Sequence, residues 1–184
     1  MENKTKTVKI KIKGEEKNLY LRFPKEEDLQ GIIQIEQLCF TPAEAATPKA
    51  LTERMQIFPE NFIIAEIDDE NNKGKKMIGM VDGISYPKPE LIDEIYSNAK
   101  LHDKNGDYCI IMGLNTHPDY RRLGVATELM KFFIEVSKER GQKGMILTCK
   151  DLYISLYEKL GFKNHGVSSS SHAGVVWYDM KYFY

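Results

Sequence analysis

The chain has little cysteine, and its placement does not suit covalent or metal chemistry. Cys39, Cys109 and Cys149 are odd in number and widely spaced, with no Cys-x-x-Cys pair and no histidine at ligand spacing. That pattern argues against a disulfide framework and against a zinc site, so no metal is expected and the three thiols read as buried groups of a cytoplasmic protein. A continuous apolar opening is missing as well. Lys4, Lys6, Lys9, Lys11 and Lys13 interrupt the first segment, which leaves no signal peptide or membrane span there and predicts a cytoplasmic protein without a membrane partner. Charge of one sign is also lacking: 26 basic against 27 acidic side chains give a formal net charge of -1. No general field therefore recruits nucleic acid, and any anion must be gripped locally. The chain contains neither Gly-x-x-x-x-Gly-Lys-Ser/Thr nor a Gly-x-Gly-x-x-Gly after a first strand, so P-loop and dinucleotide-binding folds are disfavoured.

What is present suits one domain over residues 1–184, since 42% hydrophobic residues suffice for a packed core around a sheet. Val8, Ile10 and Ile12 alternate with lysines, and Leu19, Leu21 and Phe23 alternate after a turn-like stretch from Lys13 to Asn18, which predicts an opening strand pair. Helical spacing of Leu29, Ile32, Ile33, Ile35 and Leu38 predicts a helix from Asp28 to about Phe40. Thr47 followed by Pro48 caps a second helix with Leu51, Met55 and Ile57 on its apolar face. Phe62–Ile67 and Met77–Ile84 read as a hairpin around a polar turn with Asn71-Asn72, and 86–107 as a loop insertion with a short helix in Leu91–Ala99. Tyr108–Thr116 reads as a buried central strand, followed by a helix carrying Val125, Leu129, Phe132, Phe133 and Val136 and a strand over Met145–Cys149. A helix from Asp151 with Leu152, Leu156 and Leu160, then strands in Phe162–Val167 and Val175–Tyr184, close the chain. This order indicates an α+β or mixed α/β sheet with helices on both faces.

The informative stretch is Leu114-Asn115-Thr116-His117-Pro118-Asp119-Tyr120-Arg121-Arg122-Leu123-Gly124-Val125-Ala126-Thr127, where a buried strand turns into an amphipathic helix. The first turn of a helix leaves backbone N–H groups unpaired at the positive end of its dipole, which favours an anion. Gly124 and Ala126 keep side-chain bulk away from those amides, and the guanidinium groups of Arg121 and Arg122 offer paired donors to phosphate oxygens. His117 shapes the turn before Pro118.

This Arg-x-x-Gly-x-Ala pattern resembles the coenzyme A pyrophosphate signature of the GNAT superfamily of N-acetyltransferases. The stretch Leu156-Tyr157-Glu158-Lys159-Leu160-Gly161-Phe162 resembles the same family's tyrosine helix and its exit into a strand. Upstream, 35–47 and 58–62 are similar to the acceptor-side helices of arylalkylamine N-acetyltransferase-like proteins, as is the closing 171–180. The resemblance implies a mixed, mostly antiparallel, twisted sheet of six to seven strands with helices on both faces. The cosubstrate it implies is acetyl-CoA, with Leu114, Asn115, Thr116, Arg121, Arg122, Leu123, Gly124, Val125, Ala126, Thr127, Tyr157, Glu158 and Lys159 expected to bind it. Backbone groups of Leu114–Thr116 then hold the thioester arm. Tyr157 is implied as general acid, because a phenol can protonate the departing thiolate. Phe40, Glu44, Leu114, Thr148 and His172 are candidates for the acceptor side, with His172 as a base through water and Glu44 as a base or as the holder of a cationic substrate; the plainer readings are a solvated loop histidine and a solvated turn carboxylate. The expected partner is a small-molecule amine, an arylalkylamine or a polyamine, taken by a monomer or homodimer. Two central-strand positions that often carry histidines in the family hold Ile110 and Met112 here, and an acidic position before the tyrosine helix holds Lys150. The alternatives are acetylation of protein N-termini or lysines, and a non-catalytic acyl-CoA-binding module.

Overall fold

A computed structural model describes residues 4–70 and 74–184, so the Asn71-Asn72 turn lies outside the described residues. The strands are β1 Thr5–Ile12, β2 Glu15–Arg22, β3 Phe62–Asp69, β4 Gly74–Tyr86, β5 Tyr108–Thr116, β6 Gly144–Cys149, β7 Lys163–Val167 and β8 Tyr178–Phe183. The α-helices are α1 Leu29–Cys39, α2 Pro48–Ile57, α3 Glu94–Ser97, α4 Val125–Glu139 and α5 Ile154–Glu158. All eight strands join one sheet in the order β1-β2-β3-β4-β5-β6-β8-β7. The expectation of six to seven strands is corrected to eight, because the opening hairpin and the closing pair both enter the sheet in full. Its turn is also tighter than expected. Ile12 pairs with Glu15, so Lys13 and Gly14 alone make the bend, both at positive φ as a twist-matched two-residue hairpin requires.

Strand alternation divides the core into two layers. Ile64, Met80, Ile84, Ile110 and Ile146 face α1 and α2 through Ile32, Ile35, Leu51 and Met55. Ile63, Ala65, Val81, Ile111, Met145 and Leu147 face α4 through Val125, Leu129, Phe132, Phe133 and Val136. Each of the larger of these buried side chains contributes about 1.5–3 kcal/mol relative to exposure. Helix α2 begins as its sequence predicts, with Thr47 Oγ1 accepting from the amide of Ala50 at 3.1 Å and Pro48 in the first turn. Helix α4 lies close against the sheet because Gly79 faces it. A Cβ there would meet the carbonyl of Asn115 at 2.9 Å and the side chains of Val125 and Leu129 at 3.0 and 3.1 Å.

The β5–β6 pairing positions the site. These strands run parallel, but only Tyr108–Ile110 pair with Gly144–Ile146. Beyond Ile110 the strands part, while β5 remains paired to β4 on its other side as far as Thr116. The β4–β5 register shifts next to Asp82, so Met112 is an extra residue on β5 and the strand bends there. A wedge opens at the carboxyl ends of β5 and β6, leaving one edge of β5 without a strand partner.

The last helix is shorter than its apolar spacing suggests. A 3₁₀ turn, Asp151–Tyr153, precedes the five residues of α5. Leu152 is 66% exposed and so does not belong to the inward face, which Tyr157 and the half-buried Ile154 supply instead. Cys109 and Cys149 are buried as expected, whereas Cys39 is only half-buried.

Candidate active site

A cavity of about 510 Å³ fills the wedge and extends beneath the loop from α1 to α2. Leu114 and Thr148 line it from the two diverging strands, Tyr157 from α5, Phe40 and Glu44 from the α1–α2 loop, and His172 from the segment before β8. The structure thus brings together every residue expected on the acceptor side, together with the expected general acid.

The turn after β5 is built as its sequence predicts. His117 Nδ1 takes a hydrogen bond from the amide of Asp119 at 3.3 Å, and Pro118–Tyr120 forms a single 3₁₀ turn. Arg122 has φ 61 and Gly124 φ 87, so the chain bends twice through the left-handed region before α4 starts at Val125. The amides of Arg122, Leu123 and Gly124 have no backbone partner among the described residues, and those of Val125, Ala126 and Thr127 lie in the first turn of α4, which has no intrahelical acceptors for them. This concave set of donors at a helix start can hold a diphosphate. Arg121 and Arg122 are exposed beside it, and Arg121 Nε bonds the carbonyl of Thr116 at 3.3 Å. Glu158 and Lys159 are exposed on the outer side of α5 and do not line the cavity.

Tyr157 is 7% exposed, and its ring packs edge-on against Phe162. Burial, with smaller effects from Cys149 and Tyr153, pushes its phenol well above the ordinary value, so it stays protonated. Tyr157 lines the cavity, which places its phenol within reach of a group held there. The neighbouring Tyr153 does not pack in the core, being 48% exposed.

The acceptor half is more polar than the sequence suggests. Asn115 turns its side chain away from the turn and is 1% exposed, donating from Nδ2 to Glu36 Oε2 at 2.6 Å. Glu36, 4% exposed, also accepts from the amide of Ala46 at 2.8 Å and borders the cavity. Burial first, and the nearby Asp82 charge second, raise the Glu36 carboxyl to about 7. Asp82 is buried against Arg54, whose Nη1 donates to Oδ2 at 2.8 Å and whose Nη2 holds the carbonyl of Tyr96 at 2.8 Å. Glu36 was legible as an anomaly: it falls one turn after Ile32 on the inward stripe of an amphipathic helix, where a carboxylate needs partners. Nothing in the spacing singled out Arg54 or Tyr96.

Glu44 is not a solvated turn carboxylate. Its side chain is 7% exposed and pairs with the ammonium of Lys150, while Thr41 Oγ1 donates to Oε2 at 3.0 Å. Burial opposes ionisation, but Lys150 and Thr41 outweigh it and hold the carboxyl below its usual value. His172 is likewise not a free loop side chain. It stacks on Tyr96 with ring centroids 4.7 Å apart, and its carbonyl takes the Trp177 indole N–H at 2.8 Å. Asp93 fastens the same loop from below, accepting from Ser170 Oγ at 2.5 Å and from the Ser171 amide at 3.2 Å. Ile110 is fully buried and Met112 borders the cavity, so no strand histidine is available as a base. Among the described residues, no group of three or more His, Cys, Asp or Glu could hold a metal ion.

A strand that parts from its parallel neighbour, a turn of unpaired amides after it and a buried tyrosine opposite border one cavity. The acetyltransferase (GNAT) family profile matches residues 29–162, and the chain belongs to that family. An uncharacterized N-acetyltransferase of Bacillus subtilis, YkwB, is 24% identical over 132 residues, 66% of this chain and 56% of that protein. The chain thus spans little more than half the length of that curated relative. Among solved structures, the loading GNATL domain of CurA from Lyngbya majuscula superposes with a TM-score of 0.74 at 17% identity, over 90% of this chain and 97% of that one. Ard1 from Thermoplasma volcanium gives 0.66 at 18% identity, over 90% and 97%. The PaiA N-acetyltransferase from Thermoplasma acidophilum, in complex with coenzyme A, gives 0.63 at 15%, over 90% and 99%. These likenesses establish the fold, and the family profile carries the superfamily rather than the arylalkylamine branch. No described helix is long and apolar enough to cross a membrane.

Proposed function

We propose that the protein is an N-acetyltransferase that moves the acetyl group of acetyl-CoA to a primary amine on a small molecule by direct attack. The observation that carries this reading is the single cavity that joins the open edge of β5, the phenol of Tyr157 and the buried carboxylate of Glu36. In this reading the amides of 122–127, with Arg121 and Arg122, hold the diphosphate of the cosubstrate. Backbone groups of Leu114–Thr116 pair with its pantetheine arm as a further strand would, and one N–H polarises the thioester carbonyl. The acceptor enters under the loop carrying His172 and reaches Phe40, Glu44 and Thr148.

An alkylammonium has a pKa near ~10, so it must lose a proton before it can attack. Glu44 is poorly suited to take it, being held ionised by Lys150. Glu36, with a pKa of about 7, is matched to the task near neutral pH. The freed amine adds to the thioester carbon, the C–S bond breaks, and Tyr157 gives its proton to the departing thiolate. The second excess proton on nitrogen then restores the phenol. The roof formed by 168–177 favours a compact acceptor over a peptide lying across an open groove. Thiol release from acetyl-CoA across tryptamine, phenylethylamine, spermidine and short peptides tests the reading. Turnover with the small amines is expected, whereas tight acetyl-CoA binding without turnover on any acceptor would leave only an acyl-CoA-binding module.

A further inference from the structure

Glu44, Lys150 and Trp177 form a unit that the proton transfers described above do not use. The carboxylate is the fixed member. Thr41 holds it from its own turn, its amide bonds the Thr41 carbonyl at 2.9 Å, and its own carbonyl lies 3.3 Å from the His172 ring. Trp177 is equally fixed, through its indole N–H on the His172 carbonyl. Lys150 is the loose member: its side chain is 32% exposed against 7% for Glu44, and its ammonium has Glu44 as its only polar partner among the described residues. That ammonium sits 5.9 Å from the centre of the Trp177 ring. A cation is therefore held between a buried carboxylate and an aromatic face, an arrangement that recognises alkylammonium groups in general.

The geometry points to a second-cation subsite in the acceptor half, made by Glu44 and Trp177 and occupied by Lys150 until the acceptor arrives, so that the preferred acceptor is a diamine or polyamine. This rests on the N-acetyltransferase reading, since the other amino group is the one acetylated. Removing Lys150 alone would strand a buried carboxylate, which is costly. Exchanging its ammonium for that of a ligand keeps Glu44 paired and returns a long side chain to solvent, where it regains rotamer freedom. A monoamine has one nitrogen, which fills either this subsite or the position at the thioester, whereas a diamine fills both. An anionic acceptor fares worse, since beside Lys150 it would meet the like charge of the Glu44 carboxylate.

Isothermal titration of 1,4-diaminobutane against butylamine, with coenzyme A present, reads the subsite without requiring turnover. The diamine is expected to bind about tenfold or more tightly than the monoamine, with Glu44→Gln bringing the two within about twofold. Lys150→Met should tighten the diamine by more than it tightens butylamine. Trp177→Leu should weaken the diamine alone, which keeps the test available if Glu44→Gln fails to fold. Equal affinities in the native protein, a diamine advantage that survives Glu44→Gln, or stronger binding of 4-aminobutyrate than of the diamine would overturn the assignment. The two readings fail separately. Diamine binding by a protein that acetylates nothing sinks only the transferase, and acetylation of monoamines without diamine preference sinks only the subsite.

Discussion

The side-chain amide of Asn115 donates a 2.6 Å hydrogen bond to the carboxylate of Glu36, fastening the inward face of α1 to the end of the central strand. The bond also fixes the position of that carboxylate at the border of the cavity. Because burial and Asp82 hold the Glu36 carboxyl at about 7, it is half-ionised near neutrality. We expect kcat/KM to rise with pH through an inflection near that value, beneath any later change from the amine itself. Glu36→Gln should abolish this limb and lower the plateau by about a hundredfold. A profile unchanged in the variant would remove Glu36 from proton transfer.

The same carboxyl makes stability depend on pH. Its pKa is 4.5 in the absence of a protein environment and about 7 when folded, so between these values the native state keeps a proton that the unfolded chain has released. Stability therefore falls as pH rises through that window, by on the order of 3 kcal/mol in total, and stays reduced above it. Glu36→Gln should melt higher than the native protein at about pH 8 and show no such advantage at about pH 5. Parallel thermal melts at the two pH values check this.

Tyr157→Phe retains the buried ring and its edge-on contact with Phe162 while removing the transferable proton. Turnover should drop by about tenfold or more with acetyl-CoA affinity nearly unchanged, a loss confined to the chemical step. Native rates in this variant would assign the phenol to packing alone.

Gly124 has φ 87, and a Cβ built on it meets nothing within 4 Å. Substitution by valine therefore acts through the backbone rather than through a clash, since a β-branched residue resists the left-handed region. The amides ahead of α4 should turn out of register and coenzyme A affinity should fall by about tenfold or more, as calorimetry would read. Unaltered binding would show that the diphosphate does not use this bend.

Much of the architecture is legible in local pattern. The hydrophobic pattern gives the strands from β1 to β6, and Thr47-Pro48 gives the start of α2, because capping and alternation act over a few residues, whereas β7 is exposed at every position. The turn at 121–124 is readable for the same reason: glycine and paired arginines before an amphipathic run have a local physical meaning. Side-chain partnerships are not. Lys150 reads as a cation that would repel an amine until Glu44, more than a hundred residues earlier, is seen to neutralise it. His172 reads as a solvated loop residue until Tyr96 is found beneath it. Leu152 matches the helical spacing yet is exposed, since a 3₁₀ turn rotates it off the inner face.

Strand β8 lies between β6 and β7, two elements that precede it in the chain. During synthesis, β7 can find no place in the sheet until residues 178–183 have left the ribosome, and the segment that roofs the cavity is anchored immediately before them. The half that carries the turn at 121–124 can thus pair its strands before the chamber lined by His172 is closed over.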